Sequence, residues 1–181
     1  TSIAYGAVQN CTSVTKLIMP NTVTSISGSA FAGCTSLSEM ILSRNLESVG
    51  ANALKDTPWL ANERINGANG LVIAHGLLID GTTATGSVII PNDVDIINTS
   101  AFTSNTNITD VTIPANVTKV GASAFSGCTS LTNVIEADNV EYVGSSAFYN
   151  TAWFTNLADG LVYIGKSLYT YKGTVPTGSA L

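Results

Sequence analysis

Charge is what this chain of 181 residues has least of: Asp, Glu, Lys and Arg make up 10% of it, where a typical globular chain carries about a quarter. Basic residues are scarcest, with seven Lys and Arg against twelve Asp and Glu and a net charge of −5. A chain so poor in cations has no basic face to neutralise nucleic-acid phosphates or anionic lipid. Histidine occurs once, and the three cysteines form no Cys-x-x-Cys pair, so the usual zinc spacings are missing. No uncharged apolar run approaches the roughly 18 residues a membrane span takes. No basic segment leading into an apolar stretch opens the chain, so no signal peptide is read in this segment. Apolar residues nevertheless reach 45%, the opposite balance from a disordered chain.

What the chain has in abundance is itself. SGSAFAGCTSLSEMI at 27–41 returns almost unchanged as GASAFSGCTSLTNVI at 121–135. Ile3, Ile26 and Val49 recur at i, i+23 and i+46, and Ile97, Val120 and Val143 do the same; the longer step from Val49 to Ile97 is one period plus 25. Six copies share this phase. Their columns include Ala7, Ala30, Ala53, Ala101, Ala124 and Ala147, each followed by Val8, Phe31, Leu54, Phe102, Phe125 and Phe148. A unit so short cannot bury its own apolar face, whereas stacked units bury one another. The columns therefore predict ladders of like side chains along one rod, with coils about 4.8 Å apart where strands pair in parallel. Leu37-x-x-Met40-x-Leu42 alternates as a short strand should, and the proline slot at Pro20, Pro91 and Pro114 ends it. SGSAF, GASAF and GSSAF are long enough for a single helical or 3₁₀ turn.

Residues Pro114 to Val134, PANVTKVGASAFSGCTSLTNV, resemble the BspA-type leucine-rich repeat slot for slot, and the resemblance extends over almost the whole chain. It departs mildly where Ser27 and Asn98 replace the glycine after the aliphatic and where Glu136 replaces the last strand aliphatic. The resemblance implies a leucine-rich-repeat solenoid of the β-α superhelix class, mainly short parallel strands, for which the general crossover preference gives a right-handed coil. It also implies a bacterial secreted or cell-surface protein that binds host proteins or other cells, with no catalytic motif and no cofactor.

A larger unit repeats too. Trp59 and Trp153 stand at equivalent places in their copies, and each precedes a glycine-bounded, β-rich stretch, GLVIAHGLLIDG at 70–81 and GLVYIGKSLYTYKG at 160–173. Both read as β-hairpins, turning at His75-Gly76 and Gly165-Lys166. The expected organisation is one solenoid over 1–181 with hairpin insertions at about 58–87 and 152–179, the tryptophans plugging the points where the insertions leave the coil. Thr1-Ser2-Ile3 and Thr177-Gly178-Ser179-Ala180-Leu181 align with the middle of a coil and the start of a strand. The frame therefore expects the repeat array to continue at both ends.

Residues able to carry chemistry are scattered through this frame. Cys11, Cys34 and Cys128 share a column with Thr57, Asn105 and Thr151, a slot suited to a small side chain that hydrogen-bonds nearby backbone; a Cys11–Cys34 bridge between neighbouring coils is left open. His75 lies at a turn with Asp80 five residues on, but no serine sits in a Gly-x-Ser-x-Gly elbow. Asp93-Val94-Asp95 lacks the rest of a calcium loop. The carboxylates, Glu136 and Asp138 among them, fall on variable slots and read as a solvated face. The Asn-x-Thr/Ser triplets at Asn10, Asn98, Asn107 and Asn116 are coincidences of a Thr/Asn-rich chain. The candidates for binding are Tyr163, Tyr169 and Tyr171, whose equal parity within the hairpin runs puts a tyrosine of each run on one face, where tyrosine suits protein and sugar sites.

The expected function is non-enzymatic, with no catalytic or metal-binding residue: a surface recognition or adhesion module for an extracellular protein or glycan, with no nucleic-acid partner and no membrane insertion in this segment. The alternatives are a structural spacer within a larger surface protein and a carbohydrate-binding module built on the three tyrosines.

Overall fold

The computed structural model describes residues 1–135 and 139–174. Its elements run β1 (Ser2–Ile3), β2 (Lys16–Ile18), β3 (Ser25–Ile26), β4 (Glu39–Ile41), β5 (Ser48–Val49) and helix α1 (Pro58–Asn66). A first hairpin follows, β6 (Val72–Ala74) and β7 (Leu77–Asp80), and then β8 (Gly86–Ile89), β9 (Ile96–Ile97), β10 (Ile108–Thr112), β11 (Lys119–Val120), β12 (Asn133–Ile135) and β13 (Tyr142–Val143). Helix α2 (Ala152–Asn156) and a second hairpin, β14 (Gly160–Ile164) and β15 (Ser167–Lys172), complete it. The chain winds as a β-solenoid. No helix among the described residues is long and apolar enough to cross a membrane.

Two rows of parallel strands hold the coils in register. In the first row Ile3 pairs with Ile26 and Ile26 with Val49; Ile97 pairs with Val120 and Val120 with Val143. In the second row Leu17 pairs with Met40, and Val88 with Val111 and Val111 with Val134. Each of these pairs joins residues one sequence period apart. The proline slot forms the corner back to the next first-row strand.

The wall between the rows differs from expectation. The SGSAF-type segments are not a helical or 3₁₀ turn but chained tight turns, in coil two Ala30 N–H to Ser27 C=O, Ala32 to Ser29 and Cys34 to Phe31. The reason is backbone handedness. One column of this wall, Gly6, Ser29, Asn52, Ser100, Ser123 and Ser146, has positive φ throughout, and so does a second, Asn10, Gly33, Asp56, Ser104, Gly127 and Asn150. Only glycine and short polar residues that tolerate the left-handed region occupy them. Alternate amides thereby point along the stack. Ser29, Phe31 and Gly33 donate to the carbonyls of Ala51, Ala53 and Lys55 in the next coil, and Ser123, Phe125 and Gly127 to Ser145, Ala147 and Tyr149. The coils are thus stitched by backbone on this wall as well.

The apolar ladders lie between the rows. Phe102, Phe125 and Phe148 are fully buried and stack with ring centroids 4.8 and 5.1 Å apart. The ladder does not run the whole length, however. Phe31, with Val23, Ile26, Leu37 and Leu54, belongs to one buried cluster, and the three stacked rings to another. The break falls at the first insertion. There α1 takes the place of a second-row strand, Trp59 N–H donating to Leu37 C=O, and β7 enters the first row by pairing with β9. From Leu78 to its second-row partner Val88 is ten residues, where Ile26 to Met40, Ile97 to Val111 and Val120 to Val134 each take fourteen. The insertion therefore makes a coil that is four residues short across the turn wall.

Asn98 belongs to this seam. In coils three, five and six the same slot is Gly50, Gly121 and Gly144, where an added Cβ would stand 2.3–2.4 Å from backbone nitrogen of the preceding coil. Ahead of Asn98 the short coil leaves that space open. Its buried amide crosses the gap instead, accepting from Val49 N–H at 3.0 Å and donating to Val49 C=O at 2.7 Å, as a neighbouring peptide would.

The repeat frame expects neither helix. Both are started by a threonine cap: Thr57 Oγ1 accepts from Leu60 N–H and is followed by Pro58, and Thr151 Oγ1 accepts from Phe154 N–H. The hairpin turns are as expected; His75 and Gly76 both have positive φ, as a type I′ turn demands, and β14 meets β15 across Gly165-Lys166. Trp59 is buried at the start of α1, and Trp153 packs against Phe148. Glu136, Asp138 and Thr177–Leu181 lie outside the described residues.

Candidate functional site

The second strand row has one face in the core and one in solvent. Strand alternation puts Leu17, Met40, Val88, Val111 and Val134 inward and the residues beside them outward. The outward column after the inward one is Ile18 and Ile41 in the first part of the stack and Ile89, Thr112 and Ile135 in the second. All four isoleucines are more than half exposed, Ile89 most at 72%. The column on the other side is polar: Lys16 and Glu39, ion-paired at 2.7 Å, then Ser87, Asp110 and Asn133. Asp110 accepts from Thr109 and from Asn133, which together hold its carboxyl below the ordinary carboxylate value while it stays in solvent. The exposed isoleucines thus form two apolar areas, Ile18 with Ile41 and Ile89 with Ile135 about Thr112, each edged by polar side chains. The sequence frame carries the signal, since these isoleucines recur one residue after a buried column.

The second hairpin does not hold its three tyrosines on one face. Tyr163 pairs with Leu168 and Tyr171 with Leu161, and the register shifts between Val162 and Tyr163, leaving Tyr169 as the extra residue of a bulge. Tyr163 is 52% exposed, alongside exposed Leu161 and Leu168. Tyr169 turns inward: its ring meets Phe148 and Phe154 edge-on, its hydroxyl accepts from Phe148 N–H at 3.1 Å, and burial raises its pKa. It occupies the position that the next coil's carbonyl fills for Phe102 and Phe125. Tyr171 is half-buried. Equal parity does not carry along this strand, because a bulge resets alternation partway.

Most of the remaining reactive groups are held in structural contacts, Cys11 and His75 being exposed. Cys34 Sγ donates to Val8 C=O at 2.9 Å and Cys128 Sγ to Phe102 C=O at 3.0 Å, each bridging to the coil before, while Asn105 donates to Gly81 and Ala84 C=O. Cys11, Cys34 and Cys128 are all free thiols, and Cys11 is exposed. Burial pushes Cys128 up to about 11, far from a nucleophile's range. His75 is exposed at its turn, and the nearby Asp80 is engaged by Arg64 in a two-pronged ion pair at 2.8 and 2.9 Å. Asn98 is buried, so its Asn-x-Ser triplet is no surface acceptor. Among the described residues no three His, Cys, Asp or Glu side chains converge to hold a metal.

The model of the BspA type leucine rich repeat region matches the chain in six copies, over residues 1–71 and 80–173. Among curated proteins nothing matches. Solved structures similar in fold include the leucine rich repeat protein of T. pallidum, at 20% identity over 84% of this chain and 71% of that one, with a TM-score of 0.45. A leucine rich cell surface protein of Faecalibacterium prausnitzii is 21% identical over 80% of this chain and 47% of its own, TM-score 0.48. The pneumococcal vaccine antigen PcpA is 14% identical over 72% and 47%, TM-score 0.43. The chain thus spans less than half the length of the latter two.

Proposed function

We propose, from the premise that the chain belongs to the BspA-type leucine-rich repeat family, that it is a non-catalytic recognition module of a bacterial surface or secreted protein. Its partner is an extracellular protein, and it binds through the solvent face of the second strand row. The single observation that carries this reading is the exposed column of Ile18, Ile41, Ile89 and Ile135. Isolated exposed aliphatics need no explanation, but the same outward slot is isoleucine at Ile18 beside Ile41 and again at Ile89 and Ile135 on either side of Thr112, two apolar areas that a partner's apolar surface can dry. The polar column beside it supplies a rim.

One observation favours a second reading, the exposed group of Leu161, Tyr163 and Leu168 on the outer face of the hairpin. With Tyr171 beside Leu161, it is the part of the tyrosine set left to stack on a sugar.

The test is a binding screen of the chain against extracellular-matrix and plasma proteins, fibronectin and fibrinogen included, with a glycan array in parallel. The expected result is a protein hit that Ile89→Glu with Ile135→Glu weakens at least about tenfold, and that Tyr163→Ala with Tyr171→Ala leaves unchanged. A glycan hit lost with the tyrosines moves the site to the hairpin. No hit in either screen overturns recognition in favour of a spacer.

A further inference from the structure

The short coil leaves a second opening, on the turn wall and away from the isoleucine column. In coils one, two, four and five, three alternate amides of the wall donate to the next coil, twelve bonds in all at 2.7–3.2 Å. In coil three the matching amides are Asn52, Leu54 and Asp56, and among the described residues nothing accepts from them. They face a cavity of about 420 Å³, lined by Gly50, Ala53, Leu60, Ile79 and Ser100 among others. Across it, Gly81 satisfies Ala101 C=O, and Thr103 C=O has no donor among the described residues. Leu54 is buried while Asn52 and Asp56 are exposed, so the row lies along a solvent-open cleft and its middle amide is the costliest to leave unpaired.

The geometry points to a peptide-binding slot: a main chain of four to five small residues, wound in the same tight turns as the neighbouring walls, adds to coil three as the missing turn-wall segment, presenting alternate carbonyls to Asn52, Leu54 and Asp56. Three observations converge on this occupant. The short coil lacks four residues here, and the cleft of about 420 Å³ opens where they would run. The donors alternate at i, i+2, i+4, as in strand addition, where main-chain bonds give the affinity. The lining carries no net charge, Lys55 and Arg64 against Asp56 and Asp80 with Arg64 committed to Asp80 and Thr82, which suits a neutral main chain.

The second insertion shows how such an amide is closed from within. Aligning the two hairpins on their turns places Ile79 opposite Tyr169. Tyr169 Oη accepts from Phe148 N–H, the counterpart of Leu54 N–H. Ile79, lining the cavity, has no acceptor to offer. The second insertion thus closes the middle amide of its row with its own hydroxyl, while Ser146 and Asn150 N–H find no acceptor among the described residues, and the first insertion leaves all three amides open.

The test uses acetyl-Ala-Ser-Ala-Phe-Ser-amide, the chain's own 122–126, whose first, third and fifth carbonyls already accept such a row from Ser100, Phe102 and Ser104. A second probe carries Ala in place of Phe, should the ring be too large. The ¹⁵N-labelled chain is titrated with each. The expected result is shifts at the Asn52, Leu54 and Asp56 amides and hydrogen exchange there slowed by about tenfold or more. Ile79→Tyr should abolish both effects, and so should Thr99→Trp at the rim if the first variant fails to fold. Shifts that persist in the folded variants, shifts only at the isoleucine column, or none with either probe at millimolar concentration overturn the slot. Because Ile89 and Ile135 take no part, the outcome is independent of the surface reading above.

Discussion

Asn98→Ala isolates what one side chain does at the seam. Asn98 is 4% exposed, as is Val49, so the two groups it serves lie out of water. Truncation leaves Val49 N–H and C=O unpaired, at about 1–3 kcal/mol for each buried polar group. The adjoining cavity is lined by both residues and can admit water, which favours the lower end of that range. The net cost should be about 2–4 kcal/mol, or roughly 5–15 °C in Tm for a chain of this size. Urea unfolding followed by circular dichroism measures it. The location of the loss matters as much as its size. Stacked repeats are stabilised by nearest-neighbour interfaces, and here two buried clusters meet only at this seam. Amides of coil three, such as Gly50, should exchange faster in the variant, while Gly121 and Gly144 keep their protection. Two results would refute the reasoning. One is stability within about 0.5 kcal/mol of the parent, the effect of an ordinary surface substitution. The other is loosening spread evenly over all coils.

Three further outcomes follow from the same geometry, and a fourth from the polar rim. Phe125→Ala removes the middle ring of the stack and should cost about 3–5 kcal/mol by urea titration; a smaller loss than that of an exposed-site control would mean the ring is not internal. With Cys128 held at about 11 against an ordinary 9.0, the folded state favours the thiol: its contribution is complete below pH 9 and is lost as pH rises towards 11, so Cys128→Ser should flatten the stability profile across that window. In native protein at pH 8, Cys11 should react with a thiol reagent well before Cys34 and Cys128, and three equal rates would contradict their burial. Asn133→Ala should raise the Asp110 carboxyl titration towards its ordinary value, as read by carbon NMR; an unchanged midpoint would assign the lowering to Thr109 alone.

The six copies and their columns, the pairing one period apart, the proline corners and the two hairpin turns are all legible in the amino-acid sequence. They follow from local chemistry repeated at a fixed interval: a period fixes which residues stack, whatever path connects them. The Cys/Thr/Asn column is readable as well, as a slot for a small hydrogen-bonding side chain. The left-handed columns are half-visible, since Gly, Ser, Asn and Asp alternate there, but composition alone does not separate two tight turns from a turn of helix. The helices α1 and α2 hide behind the repeat, because their caps Thr57 and Thr151 also fill the Cys/Thr/Asn column.

The binding surfaces divide along the same line. Alternation along each second-row strand makes Ile18, Ile41, Ile89 and Ile135 outward-facing from the sequence alone. Tyr169 cannot be placed that way, because its direction depends on a bulge and on an unfilled amide in another coil. Asn98 reads in the sequence as a missing glycine; only the tertiary structure supplies the empty space in front of it and the Val49 backbone within reach. Repetition determines what stacks on what, because each coil meets copies of itself. What happens where the repetition breaks is decided by which groups the break leaves unpaired, and residues far apart in the chain answer for them.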